Sequence, residues 1–168
     1  MTQLYLAYGS NLHPIRLIER VPSARLIGTT RLDRYQVVFN KQSSDGSSKC
    51  NVMYTSDDKH AAYAAVYEMK AREKLVLDAI EGLGEGYDEH ELQVLVNGDT
   101  LTVFTYISAG VHLIIGLAPY DWYHALVIAG ATHHKFPTQY VDVLRAVPTQ
   151  SDMDLGRRAK HEHLLAKM

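Results

Sequence analysis

Two short stretches of the chain hold residue types that can do chemistry on a small molecule. The first is Tyr8-Gly9-Ser10-Asn11-Leu12. It closes an alternating apolar run that begins at Leu4, and a helix-like pattern follows it. A strand that breaks at a glycine and feeds a helix leaves backbone N–H groups without partners. Such groups can hold a carboxylate, a phosphate or a developing oxyanion, although the turn can equally be a plain connection. It lacks the lysine and the added glycines of a nucleotide phosphate loop, which excludes that class. The second stretch is Glu81-Gly82-Leu83-Gly84-Glu85-Gly86-Tyr87. A dinucleotide-binding glycine loop follows a strand, whereas this stretch follows a helical pattern and is acidic. Glu85 reads as a solvated glutamate. Glu81 closes an apolar helix, so desolvation and the negative helix end are expected to raise its pKa. A carboxylate so placed is a general acid/base for work near neutral pH.

Other reactive side chains carry less. None of the nine histidines stands in an HExxH pattern, and the adjacent His133 and His134 point different ways on a helix. His161 and His163 read as favourable charge placements near a helix C-terminus. No metal is expected. Cys50, the only cysteine, reads as a small buried apolar residue. No G-x-S-x-G surrounds Ser10, so its hydroxyl or N–H is expected to bind and not attack.

The elements that must position these groups follow from periodicity. Leu4, Leu6 and Tyr8 alternate as a first strand, and Pro14 opens a helix whose apolar side is Ile15, Leu17, Ile18 and Val21. Ala24 to Phe39 is β-prone, as one bent strand or two broken near Gly28 or Asp33. Asn40 to Lys49 is polar and reads as a mobile loop. Asn51 to Tyr54 and Ala62 to Met69 are strands, and Ala62, Ala64 and Ala65 imply tight packing. Ala71 to Ile80 is helical, with Leu75, Val76, Ala79 and Ile80 as its apolar side and Gly82 as its stop. Glu91 to Val96 and Thr100 to Ile107 flank Asn97-Gly98, the strongest short hairpin signal. Two helices follow, one with Tyr123, Leu126, Val127 and Gly130 and one with Tyr140, Val143, Leu144 and Val147 at helical spacing. The pattern predicts an α+β fold: a mixed, mostly antiparallel sheet curled into a small β-barrel, with flanking helices and a helical C-terminal third. Residues 1–150 form one domain, and the charged tail 151–168 is expected to be helical.

Bulk composition narrows the function. The chain has 168 residues, 46% hydrophobic and 21% charged, with net charge −2. These values suit one globular domain and give no basic surface for nucleic acid. No signal peptide and no apolar run of membrane-spanning length is visible, and a lone cysteine suits the cytoplasm. The eleven tyrosines offer core bulk and pocket hydroxyls.

These residues bear a resemblance. Tyr8-Gly9-Ser10-Asn11-Leu12 is similar to the signature turn of the gamma-glutamylcyclotransferase-like superfamily, and Pro22-Ser23-Ala24 with the strand to Phe39 resembles the segment that follows that turn. Ala65-Val66-Tyr67-Glu68-Met69 resembles the strand before its catalytic helix, and Leu77-Asp78-x-x-Glu81-Gly82, then Tyr87, resembles its catalytic segment. Thr105-Tyr106, Pro119-x-x-x-Tyr123 and Phe136-Pro137-x-x-Tyr140 resemble its later elements. The resemblance implies a compact barrel with the ligand at its mouth. It implies a gamma-glutamyl amide as substrate, whose α-amine attacks its own γ-carbonyl to close 5-oxoproline and expel an amine. It also implies that Tyr8, Gly9, Ser10, Asn11, Leu12, Tyr87 and Tyr106 bind substrate, that Glu81 shuttles the proton, and that no cofactor is needed. One departure is Lys49-Cys50-Asn51, where some members carry a glycine pair. Two alternatives stay open: a pocket that binds without turnover, and removal of a gamma-glutamyl group from a larger metabolite. The partner is then the small-molecule substrate alone, with neither nucleic acid nor membrane, and a homodimer is compatible.

Overall fold

A computed structural model describes all of residues 1–168. The chain forms seven strands and five α-helices, and the last three helices follow one another at its C-terminal end. Strand β1 (Thr2–Ala7) lies at the centre of a five-stranded sheet of order β2-β5-β1-β7-β6. It pairs antiparallel with β5 (Ala61–Lys70) and parallel with β7 (Asp99–Ile107). Strand β2 (Arg25–Asp33) forms one edge and β6 (Asp88–Val96) the other. The sheet curls until these edges meet. The Asn97 side-chain amide donates to the Ile27 carbonyl at 3.2 Å, and a Cβ on Gly28 would lie 2.6 Å from Val96 Cγ1. Gly28 sits where the β2–β5 register shifts, so the bulge and the missing side chain together let the edges approach. The result is the expected mixed, curled sheet, here a half-barrel.

Local signals place most boundaries. The predicted break near Asp33 falls at Arg34, whose φ of 65° ends β2 and starts β3 (Tyr35–Gln42). Asn97 and Gly98 adopt φ of 53° and 95°, the left-handed pair that a two-residue hairpin requires. Helix α2 (Ala71–Glu81) stops at Gly82 with φ 72°, as an αL cap. Helices α3 (Asp121–His133), α4 (Thr138–Arg145) and α5 (Leu155–Leu165) form the helical C-terminal third.

Three expectations are corrected. The polar stretch Asn40–Lys49 is mostly hairpin: β3 continues to Gln42 and β4 (Ser48–Tyr54) begins before Lys49. Its turn is tied down by Asp45, which accepts from Lys49 at 2.7 Å and from the Ser47 hydroxyl at 2.8 Å. Polar composition does not imply mobility where the polar groups satisfy one another. In α4, Tyr140 and Leu144 face the core as expected, but Val141 is buried and Val143 is exposed, so the stripe runs through 140, 141 and 144.

The third correction concerns α2. Leu75, Val76 and Ile80 are 74%, 49% and 44% exposed, and only Leu77 is fully buried. Polar anchors hold the helix instead. Asp78 accepts from the Tyr106 hydroxyl of β7 at 2.6 Å and from Lys74 at 2.7 Å. Lys74 also reaches Glu89 of β6 at 2.5 Å and lies over the Phe104 ring. Replacing Leu77 with Ala should therefore lower the unfolding free energy by about 2–5 kcal/mol, and Leu75→Ala by less than about 0.5 kcal/mol. Urea titration followed by circular dichroism measures both. Equal losses would mean that α2 docks by the face its spacing suggests.

Candidate active site

Strand β1 delivers the turn. The Tyr8 hydroxyl donates to the Tyr106 carbonyl, and the Leu12 N–H closes back on the Gly9 carbonyl at 3.0 Å. Gly9 passes close under β4: a Cβ there would lie 3.0 Å from Cys50 Cβ. Helix α1 (Pro14–Arg20) starts only after the turn, with the His13 ring accepting from the Ile15 N–H. The free donors thus belong to the turn and not to the helix start. The N–H groups of Gly9, Ser10 and Asn11 donate to no acceptor in the protein, although Ser10 and Asn11 are buried. Buried donors are nearly always paired, so three successive free ones mark a place where a ligand atom belongs.

Leu12 has a different task. Its side chain is fully buried away from the cavity, beneath α3, where a Cβ on Gly130 would come within 2.3 Å of Leu12 Cβ. Its carbonyl accepts from the Tyr67 hydroxyl at 2.6 Å and from His134 Nε2 at 2.7 Å. A carbonyl only accepts, so His134 carries its proton on Nε2. Leu12 therefore clamps the turn from behind and does not line the cavity.

Helix α2 delivers Glu81 to the same place. Glu81 Oε1 accepts from Asn11 Nδ2 at 2.9 Å and from Arg20 Nη1 at 2.9 Å. Arg20 Nη1 also donates to Asn11 Oδ1 at 2.9 Å, which closes a triangle among the turn, α1 and α2. The second oxygen, Oε2, accepts nothing from the protein. The sequence reading takes Glu81 as a carboxylate held at the end of a buried helix. The structure gives it a half-exposed helix and a guanidinium partner. Arg20 lies on the wet side of α1 in the sequence pattern, and no local signal assigns it to the site.

Glu81 and the turn line one narrow cavity of about 20 Å³. Tyr87 and Tyr106 also line it, so the expected residues apart from Leu12 come together. Tyr5 and Tyr123, which the sequence reading does not assign to the site, line it as well, and so does Cys50, which stands where the chain departs from the family pattern. The cavity is caged by hydrogen bonds: Tyr87 donates to the Cys50 carbonyl, the Cys50 N–H donates to the Tyr123 hydroxyl at 3.1 Å, and Asn11 Nδ2 reaches Tyr5 Oη at 3.1 Å. Burial pushes the Tyr5, Tyr8, Tyr87 and Tyr123 phenols well above their usual range, so they stay protonated. Burial pushes the Cys50 thiol up to about 12. Neither a phenolate nor a thiolate is available there as base or nucleophile, and Glu81 is the one carboxylate among the lining residues. No cluster of His, Cys, Asp and Glu is arranged to hold a metal.

A family model described as the AIG2-like family matches residues 61–144, half of the chain. The chain belongs to the AIG2-like family, within the gamma-glutamylcyclotransferase-like superfamily. The match spans β5 to α4 and includes Glu81, whereas the turn at Tyr8 lies before it. This AIG2-like chain is 26% identical over 151 residues to the gamma-glutamylcyclotransferase of Homo sapiens, covering 86% of this chain and 78% of the human protein. Its fold is similar to that of a solved gamma-glutamyl cyclotransferase, with a TM-score of 0.82, 22% identity and full coverage of both chains. An uncharacterized protein from Homo sapiens follows, with a TM-score of 0.78 and 23% identity over 95% of this chain and 98% of that one. No helix is long and apolar enough to cross a membrane.

The cage makes a chemical prediction. In the native protein Cys50 should resist a soluble disulfide reagent at pH 7.5, and it should react promptly in denaturant. Absorbance of the released thiol reports both states. Fast native labelling would show an open cavity wall and a thiolate that the cage does not allow.

Proposed function

We propose that this AIG2-like protein cyclises the gamma-glutamyl group of a gamma-glutamyl amide to 5-oxoproline, with Glu81 as the proton carrier. One observation carries this reading: three unpaired N–H donors and a free Glu81 Oε2 line the same cavity. Such a site suits a reaction that needs a base and an oxyanion stabiliser but no nucleophile from the protein.

The α-nitrogen of the substrate attacks its own γ-carbonyl carbon, which forms the lactam C–N bond. Holding the glutamyl chain folded makes this step effectively intramolecular and near-attack. The γ-oxygen gains negative charge, and the N–H groups of Gly9, Ser10 and Asn11 are the donors to receive it. The γ-carbon to amide-nitrogen bond then breaks. Over the cycle the α-ammonium nitrogen loses two protons and the departing nitrogen gains two, so the net proton count does not change. Glu81 Oε2 carries them one at a time, while Arg20 and Asn11 hold Oε1 and fix the carboxylate plane. Tyr87 and Tyr106 form walls of the glutamyl site. Tyr106 also bonds Asp78, one helical turn before Glu81, and so ties the pocket wall to the helix that carries the base. The residues present complete this scheme without a cofactor. A lone cysteine kept as a thiol suits a reducing compartment, and the reaction is proposed for the cytoplasm.

Glu81→Gln keeps the shape and both Oε1 contacts but removes the proton carrier. We expect kcat to fall by about 100- to 10,000-fold with little change in KM, measured by chromatography of released 5-oxoproline. A melting curve on the same sample checks folding. Full turnover in folded Glu81→Gln would remove Glu81 from the mechanism.

A further inference from the structure

Beside the inner cavity lies a wider vestibule of about 240 Å³. The two share Ser10, Glu81, Tyr87 and Tyr123, so the vestibule adjoins the inner cavity along those residues. The vestibule wall carries five cationic side chains, Arg16, Arg20, Lys41, Lys49 and Arg157, against two carboxylates, Asp45 and Glu81. In a chain of net charge −2 this is a local excess of positive charge. Three of the cations are neutralised where they stand. Arg20 pairs with Glu81 at 2.9 Å, Lys49 with Asp45 at 2.7 Å, and Arg157 with Asp152 at 2.6 Å. Arg16 and Lys41 have no carboxylate within ion-pair distance.

Arg16 is the more telling of the two. It is only 4% exposed, and its Nε makes no hydrogen bond. Its Nη1 donates to Nδ1 of His161, whose ring stacks on Trp122 at 3.8 Å. Burial and the neighbouring cations lower the His161 pKa to about 4, so the ring is neutral and does not discharge Arg16. A buried guanidinium with no counter-ion is costly, and buried charges are normally paired. Lys41 shows the same lack in a half-buried position. Its ammonium lies 5.0 Å from the centre of the Tyr87 ring. The path is open because Gly86 has no side chain: a Cβ there would sit 2.6 Å from Lys41 Cε. Desolvation lowers the Lys41 pKa despite Glu81 and Asp45 nearby.

We propose that Arg16 and Lys41 form an anion subsite in the vestibule, which receives a carboxylate or phosphate carried by the leaving amine. This rests on the cyclisation reading. A substrate whose γ-carbonyl meets the N–H groups of the turn puts the scissile nitrogen beside Glu81, where the two spaces join, and its substituent in the vestibule. An anionic substituent supplies the counter-ion that Arg16 and Lys41 lack. A leaving group with a second ammonium meets the unpaired charges of Arg16 and Lys41 and is disfavoured.

Four substrates test this on the whole protein: the gamma-glutamyl amides of alanine, alaninamide, ethanolamine phosphate and 1,4-diaminobutane. Alanine against alaninamide isolates one negative charge at nearly constant shape. We expect the anionic member to win by about 10- to 100-fold in kcat/KM, mostly through KM, with diaminobutane lowest. The better of the carboxylate and the phosphate identifies the anion. Arg16→Met and Lys41→Met should each draw the alanine/alaninamide ratio toward one, and Arg16→Lys should restore part of it. If Arg16→Met does not fold, the half-buried Lys41→Met carries the test. A ratio near one in the unmodified protein, or one unmoved by Lys41→Met, overturns the subsite and leaves cyclisation standing. Absence of 5-oxoproline from all four overturns cyclisation instead. The ratio is then read from calorimetric dissociation constants, and equal affinities overturn the subsite too.

Discussion

Glu81 Oε1 is the point on which the site depends. Three stretches of chain meet there: the turn through Asn11, α1 through Arg20, and α2 through Glu81 itself. The contacts span 61 and 70 positions of sequence, so they fix relative placement across the fold and not local shape. The side chains are mostly buried, with 19% and 18% exposure for Arg20 and Glu81. A partly buried ion pair adds little net stability, because desolvation offsets much of the attraction. Its value here is geometric. It holds one carboxylate oxygen and leaves the other free at the mouth of a row of unpaired N–H groups.

The rest of the fold supports that geometry. Strand β1 occupies the middle of the sheet, so the turn that follows it is anchored on a rigid base. Tyr67 and His134 grip the Leu12 carbonyl from behind, and Gly130 gives α3 room to pack against the turn. On the opposite wall, Asp78 ties α2 to β7 through Tyr106. A helix with a single fully buried side chain is thereby held where function needs it. The exposed Leu75, Val76 and Ile80 are the counterpart of that choice, since α2 is docked by polar anchors at one end and not by an apolar stripe.

Charge is distributed with the same economy. The chain as a whole is slightly acidic, yet its vestibule gathers five cations from α1, β3, β4 and the last helix. The charged tail is part of this. Arg157 is locked to Asp152, which also accepts from the lone tryptophan at 2.8 Å, and His161 lies flat on that same ring. A histidine near a helix end reads in sequence as a dipole partner, but tertiary packing makes it a wall beside Arg16.

What the chain determined by itself is local. Asn97-Gly98 adopts the left-handed pair of a tight hairpin, Gly82 stops α2, and Gly9 breaks β1, because backbone sterics act over a few residues wherever the segment sits. Alternation and helical spacing likewise named most elements and the order in which they occur. The pairing of Tyr8-Gly9-Ser10-Asn11 with Glu81 could be suspected from residue types, since their chemistry is complementary. What only the tertiary structure decided is which partners meet. Spacing on α2 offered Leu75, Val76 and Ile80 as the core face, and the fold buried Leu77 instead, because the anchors at Asp78 and Lys74 set the rotation of the helix. Arg20, Tyr5 and Tyr123 carried no local mark of their place in the site, Cys50 stood out only as a departure from the family pattern, and Leu12 carried a misleading mark. Such contacts depend on how a curled sheet brings its strand ends together, and nothing within a few residues of sequence encodes that distance.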